Sequence, residues 1–193
     1  MSAPERLSPF GPELTPGRHG AAGASPVTLA ERRVDIVQLM GSEAAVADIA
    51  GLALPKPGRA EAAGDAMAVW IQPSGWLVIR PRGDEGALAR TLTDASGGAV
   101  TVVDQSHGRA VLRLSGINAR DVLAKGCRID LHPRAFSAGS AATTTIDHIT
   151  VTIVQVHATP TYDLVLPANF AEAFLDWLGM SAAEFGYEIR PPA

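Results

Sequence analysis

Apolar and polar positions along the chain alternate between two periods. Val34–Met40 (VDIVQLM) reads as a strand. Ser42 then stands where a helix would be capped, with Val46, Ile49 and Ala50 on one face and Gly51 near its end. Met67–Gln72 (MAVWIQ) and Trp76–Arg80 (WLVIR) are β-rich runs around Pro73-Ser74-Gly75, the signature of a hairpin. Asp84 is placed to cap a helix that lines up Leu88, Leu92 and Ala95, and Gly97-Gly98 ends it. Val100–Asp104 predicts the next strand.

The second half repeats the order. Ala110–Leu114 alternates as a strand. Asn118 is placed to cap a short helix with Asp121 at its third position. Ile117 and Val122 are spaced for a hydrophobic staple, and Gly126 marks the stop. Ala142–Ile146, Ile149–Val156 and Tyr162–Leu166 read as strands. From about Ala168 a helix puts Phe170, Phe174, Trp177 and Leu178 on one stripe, with Gly179 at its end and Tyr187–Arg190 as a last strand. Both halves thus predict β-α-β-β-α-β. The fold class is α+β, with two ferredoxin-like modules (about 27–105 and 106–193) sharing antiparallel sheet. Strand exchange between them is invisible at this level. Residues 1–26 stand apart. They hold five Pro and four Gly but only Leu7 and Leu14 from the Val/Ile/Leu set, which predicts a flexible tail or a strap on another protein. Pro55–Gly64 reads as a long loop.

Composition narrows the function. A chain of 193 residues can bury roughly 70% of its unfolded surface without disulfides or metals. Cys127 is its single cysteine, so no intramolecular disulfide exists. A net charge of −4 gives no footprint for a nucleic-acid backbone. The uncharged stretch 148–162 contains two His, several Thr, a Gln and a Pro and is no membrane span. The start MSAPERLSPF lacks a secretory pattern, so a cytoplasmic protein is expected.

The usual chemical signatures are missing. No two glycines are separated by one residue, which excludes G-x-G-x-x-G, and the phosphate loop G-x-x-x-x-G-K-[ST] is absent. His19, His107, His132, His148 and His157 form no helical i, i+4 pair, so a zinc site would need distant ligands. Asp104-Gln105-Ser106-His107 contains the residue types of a hydrolase triad. Adjacent strand residues point to opposite faces, however, and the stretch reads better as a polar turn. Cys127, beside Arg128, reads as a small residue at a helix–strand junction more readily than as a reactive thiol. Trp70, Trp76, Trp177, Phe170 and Phe174 read as core or interface. No catalytic, cofactor-binding or metal-binding residue is assigned.

One long run carries a resemblance. VVDQSHGRAVLRLSGINARDVLAKGCRIDLHPRAF (Val102–Phe136) resembles the gamma subunit of heterotetrameric sarcosine oxidase: a polar Asp104–His107 turn, Leu114–Gly116, Leu123–Cys127 and Asp130–Pro133. Ala68–Leu77 is similar to that family's tryptophan-bearing strand pair, and Asn169–Leu178 to its C-terminal helix. The resemblance spans about residues 30–180. It implies a distant relative of the folate-binding aminomethyltransferase fold, serving as a non-catalytic subunit beside alpha, beta and delta chains. Those chains would carry FAD, covalent FMN, NAD and zinc. The complex would demethylate sarcosine to glycine, pass the one-carbon unit to tetrahydrofolate and release H2O2. Three alternatives stay open: the equivalent subunit of another N-methyl amino-acid oxidising complex, such as N-methylglutamate dehydrogenase, a generic assembly protein of the same fold with no oxidase, and a stand-alone folate binder. The last needs an acid for the pterin ring, for which Asp104, Asp130 and Asp147 are the central candidates.

Overall fold

The computed structural model describes residues 7–11, 14–23, 25–42 and 48–192. In chain order these form β1 (Gly17–His19), β2 (Val27–Glu31), β3 (Val34–Met40), β4 (Asp48–Ile49), β5 (Leu52–Ala53), β6 (Ala60–Ala63), β7 (Ala66–Gln72), β8 (Gly75–Pro81), α1 (Ala87–Ser96) and β9 (Thr101–Asp104). There follow β10 (Arg109–Ser115), α2 (Ala119–Ala124), β11 (Ala141–Ile146), β12 (Ile149–His157), β13 (Thr161–Pro167), a 3-10 turn (Ala168–Phe170), α3 (Ala171–Ala182) and β14 (Tyr187–Arg190).

The smaller sheet runs β6-β7-β8-β3-β9 and is antiparallel throughout. Its last four strands have the ferredoxin-like order, fourth-first-third-second when read from β9. The larger sheet runs β1-β14-β2-β10-β13-β12-β11. It has the same plan with three changes: β11 extends one edge, β1 extends the other beyond β14, and β2 is inserted between β14 and β10. β2 pairs parallel with β14 and antiparallel with β10, so a strand from the start of the chain completes the C-terminal module's sheet.

Side-chain alternation stacks the sheets into four layers. One face of the larger sheet packs on α2 and α3 through Leu29, Leu112, Ile153, Leu164, Val122, Phe174 and Leu178. The outer face of the smaller sheet packs on α1 through Leu39, Val78, Leu88 and Leu92. Between the sheets lies a third core with Ile36, Val69 and Leu77 on one side and Val111, Val154 and Val165 on the other.

Several local expectations give way to other solutions. The helix expected after Ser42 is replaced at 48–53 by the β4–β5 hairpin, while positions 43–47 of that expectation lie outside the described residues. Ala50 (φ 55°) and Gly51 (φ 78°) both take the left-handed conformation that a two-residue hairpin turn requires, and Asp48 Oδ1 accepts the Gly51 N–H at 3.0 Å. Ile49 and Leu52 reach the same core that a helix face would have supplied. The loop expected over 55–64 ends at Arg59, because β6 pairs with β7. Asp84 does not cap α1 with its side chain; its carbonyl accepts the Ala87 N–H at 3.0 Å, and Gly97 (φ 54°) closes the helix. Ile117 is 70% exposed and forms no staple, and Asn118 Nδ2 donates to the Ser25 carbonyl instead of capping α2. α3 runs through Gly179 to Ala182, and Phe170 is left half-exposed in the 3-10 turn.

Within residues 1–26, Phe10 is fully buried in the large core and Gly17–His19 pairs with β14 as an edge strand.

Candidate functional site

The inter-sheet core is apolar in the middle and polar at its two ends. At one end β9 turns into β10 through Asp104–His107. Asp104 Oδ1 accepts the Ser106 N–H at 2.8 Å, an Asx turn. Ser106 is buried. Its Oγ accepts the Ile36 N–H at 3.0 Å and donates to the Ile36 carbonyl at 3.3 Å, tying the turn to β3. The hydroxyl is thereby occupied on both sides by the backbone of one residue, Ile36. His107 points elsewhere, with Nε2 3.3 Å from Glu85 Oε1, both side chains largely exposed. The structure does not bring Asp104, Ser106 and His107 together as a triad.

Beside this turn lies a cleft of about 660 Å³, lined by Asp35, Arg82, Asp84, Glu85 and Arg109 together with Leu7 and Pro9. Asp35 Oδ2 accepts the Gly83 N–H at 2.9 Å and fixes the loop ahead of α1. The Nε atoms of Arg82 and Arg109 are buried with no hydrogen-bond partner among the described residues, and burial pulls the Arg109 guanidinium below its ordinary pKa.

The other end holds a buried ion cluster. Asp163 on β13 is 1% exposed. Opposite it in register on β10, Arg113 donates from Nε to Oδ1 (2.7 Å) and from Nη2 to Oδ2 (2.8 Å). Arg32, just past β2, adds a third bond from Nη1 to Oδ2 at 3.0 Å. The bidentate bond to Asp163 raises the Arg113 pKa further. Three neighbouring strands are thus pinned by one carboxylate.

The structure places the remaining candidates elsewhere in the fold. Burial pushes the Cys127 thiol above its ordinary pKa, outweighing its backbone hydrogen bonds; it packs against the large core beside Ile146. Trp70 and Trp76 face each other across β7 and β8, and Trp76 Nε1 donates to the Pro55 carbonyl at 2.9 Å. Trp177 lies over Gly126, where an added Cβ would come within 2.5 Å of its ring. His132 Nδ1 and His157 Nδ1 accept backbone N–H groups two residues on, His148 sits in the β11–β12 turn, and His19 stacks on Tyr187. Asp130 binds the His132 N–H and Asp147 shares the turn with His148. Among the described residues no three His, Cys, Asp or Glu side chains gather as a metal site, and no helix is long and apolar enough to cross a membrane.

Sequence reasoning missed the Arg32–Arg113–Asp163 cluster. Its one visible signal was a lone charge inside each of two apolar strand runs, AVLRL and YDLVL.

Two face-packed sheets flanked by helices make this an α+β chain whose fold is similar to that of an aminomethyltransferase. It superposes on the glycine cleavage system aminomethyltransferase T from Bartonella henselae with a TM-score of 0.62 at 17% identity, covering 80% of this chain and 45% of that one. At that identity the likeness concerns the fold alone. A chain of the heterotetrameric sarcosine oxidase from Corynebacterium sp. U-96, in complex with pyrrole 2-carboxylate, matches with a TM-score of 0.80 and 29% identity over 93% of this chain and 96% of that one. Residues 38–184 match the model of the sarcosine oxidase gamma subunit family. The gamma subunit of sarcosine oxidase from Corynebacterium sp. (strain P-1) is 39% identical over 153 residues, covering 77% of this chain and 73% of its own. The one from an Arthrobacter species is 40% identical over 146 residues, 74% and 70% respectively. The chain belongs to the sarcosine oxidase gamma subunit family.

Proposed function

We propose that this chain is the non-catalytic gamma subunit of a cytoplasmic, heterotetrameric sarcosine oxidase, assembled with alpha, beta and delta chains. Those partners carry FAD, FMN, NAD and zinc. The complex oxidatively demethylates sarcosine to glycine, hands the one-carbon unit to tetrahydrofolate and reduces O2 to H2O2. The observation that carries this reading is the match to a chain of a heterotetrameric sarcosine oxidase along nearly the full length of both. The site chemistry supports it: Ser106 is bonded to the backbone of Ile36 on both sides, burial pushes the Cys127 thiol above its ordinary pKa, and Asp163 is paired with two arginines.

The role of such a chain is burial. It covers apolar surface of larger subunits and fixes their relative positions. Co-expression with and without the other three chains tests this. The complete complex should form only with this chain present and produce H2O2 from sarcosine, while the chain alone neither retains flavin nor consumes sarcosine. Turnover or a bound redox group in the lone chain refutes the proposal, as does a fully active complex lacking it.

A further inference from the structure

A second cavity, of about 250 Å³, opens between the β6–β7 hairpin and the β10–β13 pair. Its polar end is Asp163 with Arg113 and Arg32, flanked by Gln155, whose buried Oε1 has no hydrogen-bond partner among the described residues, and its apolar wall includes Met67 and Ile79. The three charged groups leave one positive charge over. Both Asp163 oxygens are already bonded, so the carboxylate itself has little left to offer. Each guanidinium carries further N–H donors that meet no protein acceptor among the described residues, and both side chains keep partial access to the cavity, 20% exposed for Arg32 and 33% for Arg113. Asp65, the other acid at this cavity, is exposed in the hairpin turn, where solvent and salt screen it.

We propose that this cavity binds a small monocarboxylate with an apolar body. The carboxylate is held by the spare donors of Arg32 and Arg113, and the body lies against Met67 and Ile79. The planar guanidinium forks match a carboxylate, and one negative charge cancels the single surplus positive charge. A phosphate dianion would exceed that surplus and find no polar partner on the opposite wall.

Benzoate is the probe and benzamide, of the same shape without the charge, its control. The full chain is titrated by calorimetry while a ¹³C-methyl label reports on Met67. Benzoate should saturate one site, shift the Met67 methyl and lose affinity as salt rises; benzamide should do none of these. Arg32→Gln keeps the bidentate Arg113–Asp163 pair and removes the surplus charge, so benzoate affinity should fall about tenfold or more. Far-UV circular dichroism checks that the variant is folded. If it is not, the Met67 shift and the benzamide comparison on the unmodified chain still decide. Absence of saturation at concentrations on the order of 10 mM overturns the proposal. So does equal binding of benzoate and benzamide, an unmoved Met67 methyl, or an unchanged affinity in folded Arg32→Gln. Because the titration needs no partner chain, its failure leaves the oxidase assignment standing, and the reverse also holds.

Discussion

Replacing Asp163 by Asn isolates the charge of the buried cluster from its shape. The carboxylate is almost completely shielded and accepts three hydrogen bonds, from Arg113 on β10 and from Arg32 just past β2. Asn fills the same volume but brings no charge, and its NH2 group faces donors. Removing one partner of a buried ion pair costs about 3–5 kcal/mol. The guanidiniums here are 20% and 33% exposed, and recover part of their hydration. The loss therefore falls at the lower end, about 3 kcal/mol. In a chain of this size each kcal/mol moves the melting midpoint by about 2–4 °C, so a drop of roughly 6–12 °C is expected. Thermal unfolding followed by circular dichroism measures it, with urea titration at unchanged m-value as the check on two-state behaviour. Replacing the whole cluster, Arg32→Met, Arg113→Met and Asp163→Leu together, should recover most of the loss, since no charge is then left buried alone. A fall of less than about 2 °C for Asp163→Asn would show that the cluster does not anchor the sheet. A triple variant as unstable as the single one would show that shape, not charge, is at stake.

Ser106→Ala strands the buried Ile36 N–H and should cost about 1–3 kcal/mol in denaturant titrations, whereas His107→Ala, altering an exposed contact, should leave stability unchanged. Gly126→Ala drives a methyl into the Trp177 ring and should destabilise by about 1–3 kcal/mol; Trp177→Leu in the same chain should relieve part of this, read from the double-mutant cycle. Burial raises the Cys127 pKa above its ordinary 9.0, so the thiolate fraction at pH 8 is smaller than in free cysteine. Iodoacetamide labelling should accordingly be slower than for free cysteine and keep accelerating as pH rises past 9.0; a plateau below pH 8 would contradict this.

The apolar runs made much of this fold readable. β3 and β14 coincide with the runs Val34–Met40 and Tyr187–Arg190, and the hairpin at Pro73-Ser74-Gly75 forms where its turn residues stand. Short elements were hidden for identifiable reasons. Ile49 and Leu52 are three apart, which suits a helix stripe as well as a two-residue hairpin. β6 is AEAA, whose alanines carry no strand preference. Of the site, the polar turn at Asp104–His107 was legible because its residues are neighbours in the chain. The cluster around Asp163 was not, because Arg32, Arg113 and Asp163 meet only through the order β2-β10-β13, and strand order is not written in local periodicity.

The place of β2 has a consequence for biosynthesis. Its two neighbours are β10 and β14, both made long after it and β14 the later of the two. While the nascent chain is still growing, β2 can find only one of them, and its other edge remains open to stray pairing. The sheet closes when Tyr187–Arg190 leave the ribosome and dock beside Val27–Ala30, a contact of very long sequence separation and therefore slow to form. Ribosome stalling before β14 should yield a chain that chaperones hold and proteases clip, and release past that point should bring protection in a single late step.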